Sequence, residues 1–207
     1  MVHLHYIIAS TPRSGSSFLC QLLKSLRIFG QPAEIMGKPR AEREFWGEHG
    51  HGDFNRNELL HLVFDKWSSP IGITGLKMHF HQLQNLMEEV DVEHVLQEAS
   101  YIYIEREDIV DQAVSLFRAR QSGAWSSKHE VHRDLSESDY SFSEIKKSYA
   151  DLVKEKDAWE NWFAERNIVP LRVRYEDLAG APGRVERRWH SHHLPHWEPR
   201  PVAPLLF

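Results

Sequence analysis

The chain has 207 residues, with 25 Lys and Arg against 30 Asp and Glu, and a net charge of -5. Its 41% hydrophobic and 27% charged content suits one α/β domain with a sizeable core. The acidic balance argues against bulk attraction to nucleic acid, and no apolar run approaches membrane-spanning length. The start, Met1-Val2-His3-Leu4-His5, lacks a basic segment followed by an apolar one, so no secretory signal is expected. A single cysteine, Cys20, excludes an internal disulfide and is expected as a small buried hydrophobe. These features together fit a reducing cytoplasm.

Short runs rich in β-branched and aromatic residues predict strands at 5–10, 71–78, 101–105 and 170–175. Apolar spacings of three and four predict helices at 16–26, 57–67, 92–98, 109–121 and 142–165. Strand and helix alternate, which predicts a parallel sheet covered on its faces. The last helix carries Ile145, Tyr149, Leu152, Trp159 and Phe163 as one expected stripe. The polar stretches 36–57 and 126–141 read as long loops. Beyond 180 the chain turns rich in Pro and His and loses all period, an irregular tail of the sort a truncated gene or shifted frame produces. His190, His192, His193 and His196 there have no rigid spacing suited to a metal.

The first strand runs into Ser10-Thr11-Pro12-Arg13-Ser14-Gly15-Ser16-Ser17 and then a helix. A strand–turn–helix of this kind aims backbone N–H groups and a helix N-terminus at one spot, which suits a phosphate or phosphosulfate. Ser14, Ser16 and Ser17 add hydroxyl donors, and Arg13 adds a fixed charge. A serine-capped turn accounts for one of these serines, less well for the set. The G-x-x-x-x-G-K-[ST] pattern of nucleotide triphosphatases is absent. A second basic turn follows the third strand, where Arg106 precedes Gln112-Ala113-Val114-Ser115. That strand end is where α/β sheets bind ligands. Arg106 and Ser115 suit a second phosphate, or Arg106 pairs with Glu107 or Asp108.

Taken together, these two segments resemble sulfotransferases that use 3′-phosphoadenosine 5′-phosphosulfate. The resemblance is closer to the bacterial trehalose 2-sulfotransferase-like family. It extends to Gly30-Gln31-Pro32-Ala33-Glu34, Gly75-Leu76-Lys77-Met78 and Trp159-x-x-Trp162-Phe163, and covers about 6–178. It implies a P-loop-kinase-like three-layer α/β sandwich with a central parallel sheet. Arg13, Ser14, Gly15, Ser16 and Ser17 would hold the 5′-phosphosulfate, and Arg106 and Ser115 the 3′-phosphate. Glu34 matches the family's catalytic base. Lys77, at a strand end, would steady the sulfonate, or is a snorkelling lysine. His79 and His81 would contact the acceptor or rival Glu34 as base. Phe45 and Trp46, with His49 and His51 nearby, would offer a face to a sugar ring, or anchor their loop.

The expected function is sulfuryl transfer to a hydroxyl of a carbohydrate or glycolipid, with no metal. The likeness carries a homodimer with it. The family continues past Tyr175-Glu176-Asp177-Leu178 into a closing segment that this tail does not repeat. A nucleotide binder without turnover is therefore the other reading. The domain is expected to end near residue 180.

Overall fold

A computed structural model of the chain describes residues 4–36, 38–125 and 133–180. The expected tail and its His cluster lie outside the described residues. Four parallel strands form the centre: β1 (Leu4–Ser10), β2 (Ile73–His79), β3 (Ser100–Glu105) and β4 (Leu171–Arg174), in the order β2-β1-β3-β4. β1 is flanked on both sides, with Ile7 opposite Leu76 on β2 and Tyr101 on β3. Its pleat sends Ile7 and Ala9 to one core and Tyr6 and Ile8 to the other. An unbroken apolar run is what a strand buried on both faces requires.

The helices are α1 (Ser16–Ser25), α2 (Pro39–His49), α3 (Arg56–Trp67), α4 (Phe80–Glu89), α5 (Glu93–Glu98), α6 (Ile109–Ser122), α7 (Phe142–Glu165) and α8 (Tyr175–Gly180). α1 packs Leu19, Leu22 and Leu23 beside Ile8, Ile102 and Ile104 on one face of the sheet. The other face is covered by Leu59, Leu83, Trp159 and Phe163 from α3, α4 and α7. Their ends obey local chemistry. Asn55 accepts from the N–H groups of Asn57 and Glu58, and Asp108 from that of Asp111. α6 stops at Gly123, whose φ of 73° is left-handed. Among the described residues no helix is long and apolar enough to cross a membrane.

The expected sandwich with a parallel sheet is present, and the four strands fall within two residues of their expected bounds. Three elements depart from expectation. The 36–57 stretch is not a long loop, because Pro39 at the first turn starts α2. Phe45 and Trp46 are each only 7% exposed, edge-on to Trp67 and Phe54. They anchor α2 in the core, the other of the two expected roles. α4 follows β2 directly, with Leu83 and Leu86 turned inward. Of the polar stretch 126–141, residues 133–141 hold a short 3-10 turn at Glu137–Asp139.

The expected stripe on α7 is divided. Trp159, Trp162 and Phe163 face the sheet, Leu152 and Ile145 face α6, and Tyr149 is 41% exposed. Cys20 is buried beside α1's leucines, and burial pushes its thiol up to about 12.

Candidate active site

The chain leaves β1 through a turn held by backbone strain. Arg13 and Gly15 have φ of 65° and 84°, left-handed values that favour glycine at 15. A Cβ on Gly15 would also lie 2.3 Å from the Tyr175 ring at the start of α8. No side chain caps the N-terminus of α1. The Ser14 hydroxyl is fully buried there and has no hydrogen-bond partner among the described residues. A buried orphan hydroxyl beside an uncapped helix start suits an anion by its chemistry. The turn is tied down by Gln112 on α6, whose Nε2 donates to Thr11 Oγ1 at 2.8 Å and to the Pro12 carbonyl at 2.6 Å.

The two basic segments meet, as expected. Arg13 Nε donates to Ser115 Oγ at 3.0 Å, and Arg13 Nη1 reaches the Trp125 carbonyl. Arg13, Arg106, Ser115, Arg118 and Arg133 line one cavity of about 610 Å³. Burial, then the nearby Arg106 charge, lowers the Arg13 pKa, and four arginines face two aspartates, Asp111 and Asp134, around the cavity. Arg106 pairs loosely with Asp111 at 3.5 Å and lies 5.4 Å over the Tyr175 ring. The acidic partner is Asp111, where Glu107 or Asp108 was expected, and it lines the same cavity as Arg106. Sequence reasoning missed Arg118. It sits one helical turn beyond Ser115, a spacing that puts both on one face.

Glu34 lies on the other side of the turn. An isolated parallel bridge joins Ala33 to Leu76, and the Lys77 N–H donates to the Ala33 carbonyl at 3.0 Å. That bridge sets Glu34 beside Lys77, whose ammonium contacts Glu34 Oε2. Glu34 Oε1 takes Gln82 Nε2 at 2.9 Å and Lys38 Nζ at 2.8 Å, with His79 Nε2 at 3.8 Å. Burial alone would raise the Glu34 carboxyl, but Lys77, His79 and Lys38 bring it down to about 2. Lys77 is buried and ion-paired, so the snorkelling reading fails.

His79 caps the start of α4, and its N–H donates to Gln82 Oε1 at 2.8 Å. Its Nδ1 is 3.0 Å from the Ser10 carbonyl, which also accepts from Trp159 Nε1 at 3.1 Å. Burial and Lys77 hold the His79 imidazole well below its usual value, so it is neutral near pH 7. Neither Gln82 nor Lys38 was singled out in the sequence. Gln82 was detectable only with α4 recognised, since its role depends on the helix start.

Acid stability follows from this pairing. The Glu34 pKa is lowered on folding, so its stabilisation is present above the ordinary value of 4.5 and lost as pH falls towards about 2. Between about pH 7 and about pH 3 the protein should lose about 2 kcal/mol more than Glu34→Gln, read from urea unfolding. Equal losses would show that Glu34 is not held ionised by its neighbours.

The family model of the Stf0 sulphotransferases matches residues 5–192. A trehalose 2-sulfotransferase of Mycobacterium tuberculosis is 25% identical over 210 residues, covering 84% of this chain and 78% of that protein. The sulfotransferase domain of the curacin biosynthetic pathway shares the fold, with a TM-score of 0.54 at 15% identity, over 96% of this chain and 76% of that one. A mouse sulfotransferase, SULT7A1, solved with PAP, matches with a TM-score of 0.49 at 13% identity, over 92% of this chain. The present chain spans 58% of that mouse protein. With the match running through β1, the anion turn, Glu34 and the Arg-lined cavity, the chain belongs to the Stf0 sulphotransferase family and is a sulfotransferase.

Proposed function

We propose that the protein moves the sulfuryl group of 3′-phosphoadenosine 5′-phosphosulfate to a carbohydrate hydroxyl, with trehalose the first acceptor to test. One observation carries this reading: the uncapped anion turn lies between an arginine-lined cavity and a buried carboxylate–lysine pair. The α1 amides, Ser14, Ser16, Ser17 and Arg13 take the 5′-phosphosulfate, with Gly15 supplying the turn. Arg106, Ser115 and Arg118 take the 3′-phosphate. The nucleotide binder without turnover is not favoured, since the family match covers both sides of the turn.

Sulfuryl transfer resembles phosphoryl transfer, where positioning and charge stabilisation do most of the catalysis. The acceptor oxygen bonds to sulfur while the bond from sulfur to the 5′-phosphate oxygen breaks. Glu34 takes the acceptor proton, and Arg13 with the turn amides stabilises the departing phosphate. A carboxylate at about 2 is a poor base. Lys77 accounts for much of that depression. When a bound sulfonate draws the ammonium away, burial dominates and the Glu34 pKa climbs into a useful range. His79 stays neutral, fixes Gln82 through its N–H and faces the acceptor side.

Incubation with labelled donor and a panel including trehalose tests the reading; label on a sugar hydroxyl is the expected outcome. No transfer to any member would overturn it. A lipid-linked sugar in the panel tests a glycolipid acceptor, and light scattering tests a homodimer. Limited proteolysis tests a domain ending near residue 180. Arg106→Ala should cut the preference for adenosine 3′,5′-bisphosphate over ADP by about tenfold or more, by calorimetry. Equal loss for both nucleotides would remove Arg106 from the 3′-phosphate.

A further inference from the structure

A second carboxylate–imidazole pair lies beside the Glu34 cluster and has no part in the chemistry above. Glu155, on α7, reaches the first turn of α4 with both oxygens. Its Oε2 accepts from the Phe80 N–H at 3.0 Å, and its Oε1 meets His81 Nδ1 at 2.5 Å. His81 therefore holds its Nδ1 against the carboxylate, and Nε2 has no hydrogen-bond partner among the described residues. The His81 ring lies 5.8 Å from the ring of His79, whose Nε2 faces Glu34.

Exposure is graded across these groups. Side-chain exposure is 5% at Lys77, 10% at His79 and 15% at Glu34, then 56% at His81. Lys38, at 47%, forms the other exposed edge above Glu34. His81 is thus the exposed neighbour of the Glu34 cluster, one ring beyond His79, with its Nε2 open. A free His on a helix surface would swing through several rotamers; this one is pinned by a carboxylate that is itself pinned by a backbone N–H. Such pre-ordering is worth affinity for a ligand that uses the open nitrogen.

We propose that His81, oriented by Glu155, is an acceptor-binding residue that hydrogen-bonds through Nε2 to a second hydroxyl of a polyol acceptor, beside the one that attacks. The inference rests on the sulfotransferase reading and deepens it on the acceptor side. Glu155 is a positioning residue that acts through His81. The Glu155 hydrogen bond raises the His81 pKa against burial, with Glu34 adding to the rise. The doubly protonated ring therefore persists to higher pH than in a free imidazole, with Nε2 donating; once the ring is neutral with its proton on Nδ1, Nε2 accepts. The groups facing His81 are Glu155 from α7, His79 and Glu34.

The test is calorimetry of trehalose with the full chain saturated in adenosine 3′,5′-bisphosphate. His81→Ala should weaken trehalose about tenfold, the worth of one charge-assisted hydrogen bond, while bisphosphate affinity stays within about twofold. His81→Gln, which keeps a polar tip, should recover part of the loss. Glu155→Gln should shift the midpoint of the pH dependence of trehalose affinity downwards, a change that a purely structural role would not produce. Unchanged trehalose affinity in His81→Ala, or parallel loss of bisphosphate, overturns the assignment. If the unaltered protein sulfates sugars while His81→Ala binds them equally well, only this inference fails. If the unaltered protein neither binds nor sulfates any polyol, the functional reading fails with it.

Discussion

Glu34→Gln is expected to lower kcat by about a thousandfold while leaving adenosine 3′,5′-bisphosphate affinity nearly unchanged. The substitution keeps shape and hydrogen-bonding capacity but removes the proposed proton acceptor. Glu34 lies apart from the cavity that Arg106 and Ser115 line, so nucleotide binding has no reason to follow. The loss should fall on kcat rather than on the KM for the donor, the pattern of an interaction made in the transition state. Single-turnover measurement with labelled donor separates this from slow product release. Retained turnover would pass the role of base to another group, and neutral His79 would be the first candidate. Because Gln cannot hold Lys77 by charge, the variant also tests whether the ammonium needs a partner when the donor is absent.

Trp159→Ala should cost about 4 kcal/mol of stability, among the largest losses available to one substitution here. The ring is fully buried, stacked on Phe163 at 5.6 Å and edge-on to Phe80 at 5.2 Å. Its Nε1 donates to the Ser10 carbonyl, the same oxygen that orients His79. The effect therefore has two components, a cavity against the sheet and a loosened imidazole at the end of β2. Trp159→Phe keeps most of the packing and should cost about half as much. Val169→Ala, at a residue 95% exposed, should fall within about 0.5 kcal/mol of the parent. Urea unfolding of the three variants gives the comparison. A cost below about 1 kcal/mol for Trp159→Ala would mean that the site collapses around the lost ring.

The sheet and the anion turn were legible because their signals are local. Ile7 and Ile8 in an apolar run, then Arg13 to Ser17, then leucines at helical spacing, need nothing from elsewhere in the chain. α2 escaped detection because its charges, and the glycines in and around it, outweigh Phe45 and Trp46, which only the core makes sense of. α4 escaped because β2 passes into it without a turn residue, so Leu83 and Leu86 had no marked start. Missing α4 meant missing Gln82 and the His81–Glu155 pair. Glu34 could be named only through resemblance. A carboxylate in a Pro-containing loop looks exposed until the bridge at Ala33 draws it against Lys77.

That bridge has a bearing on solubility. β2 is an edge strand, and an open edge is a template for pairing with another chain. The segment that carries Glu34 lies along that edge and takes the Lys77 N–H, so the residues that position this carboxylate also occupy a hydrogen-bonding site open to strand addition. The opposite edge is guarded differently. β4 has only four residues, and its outward Arg172 and Arg174 are committed to Glu160, Glu105 and Glu107. Changes that loosen the Ala33 segment should therefore favour self-association as well as slow the reaction.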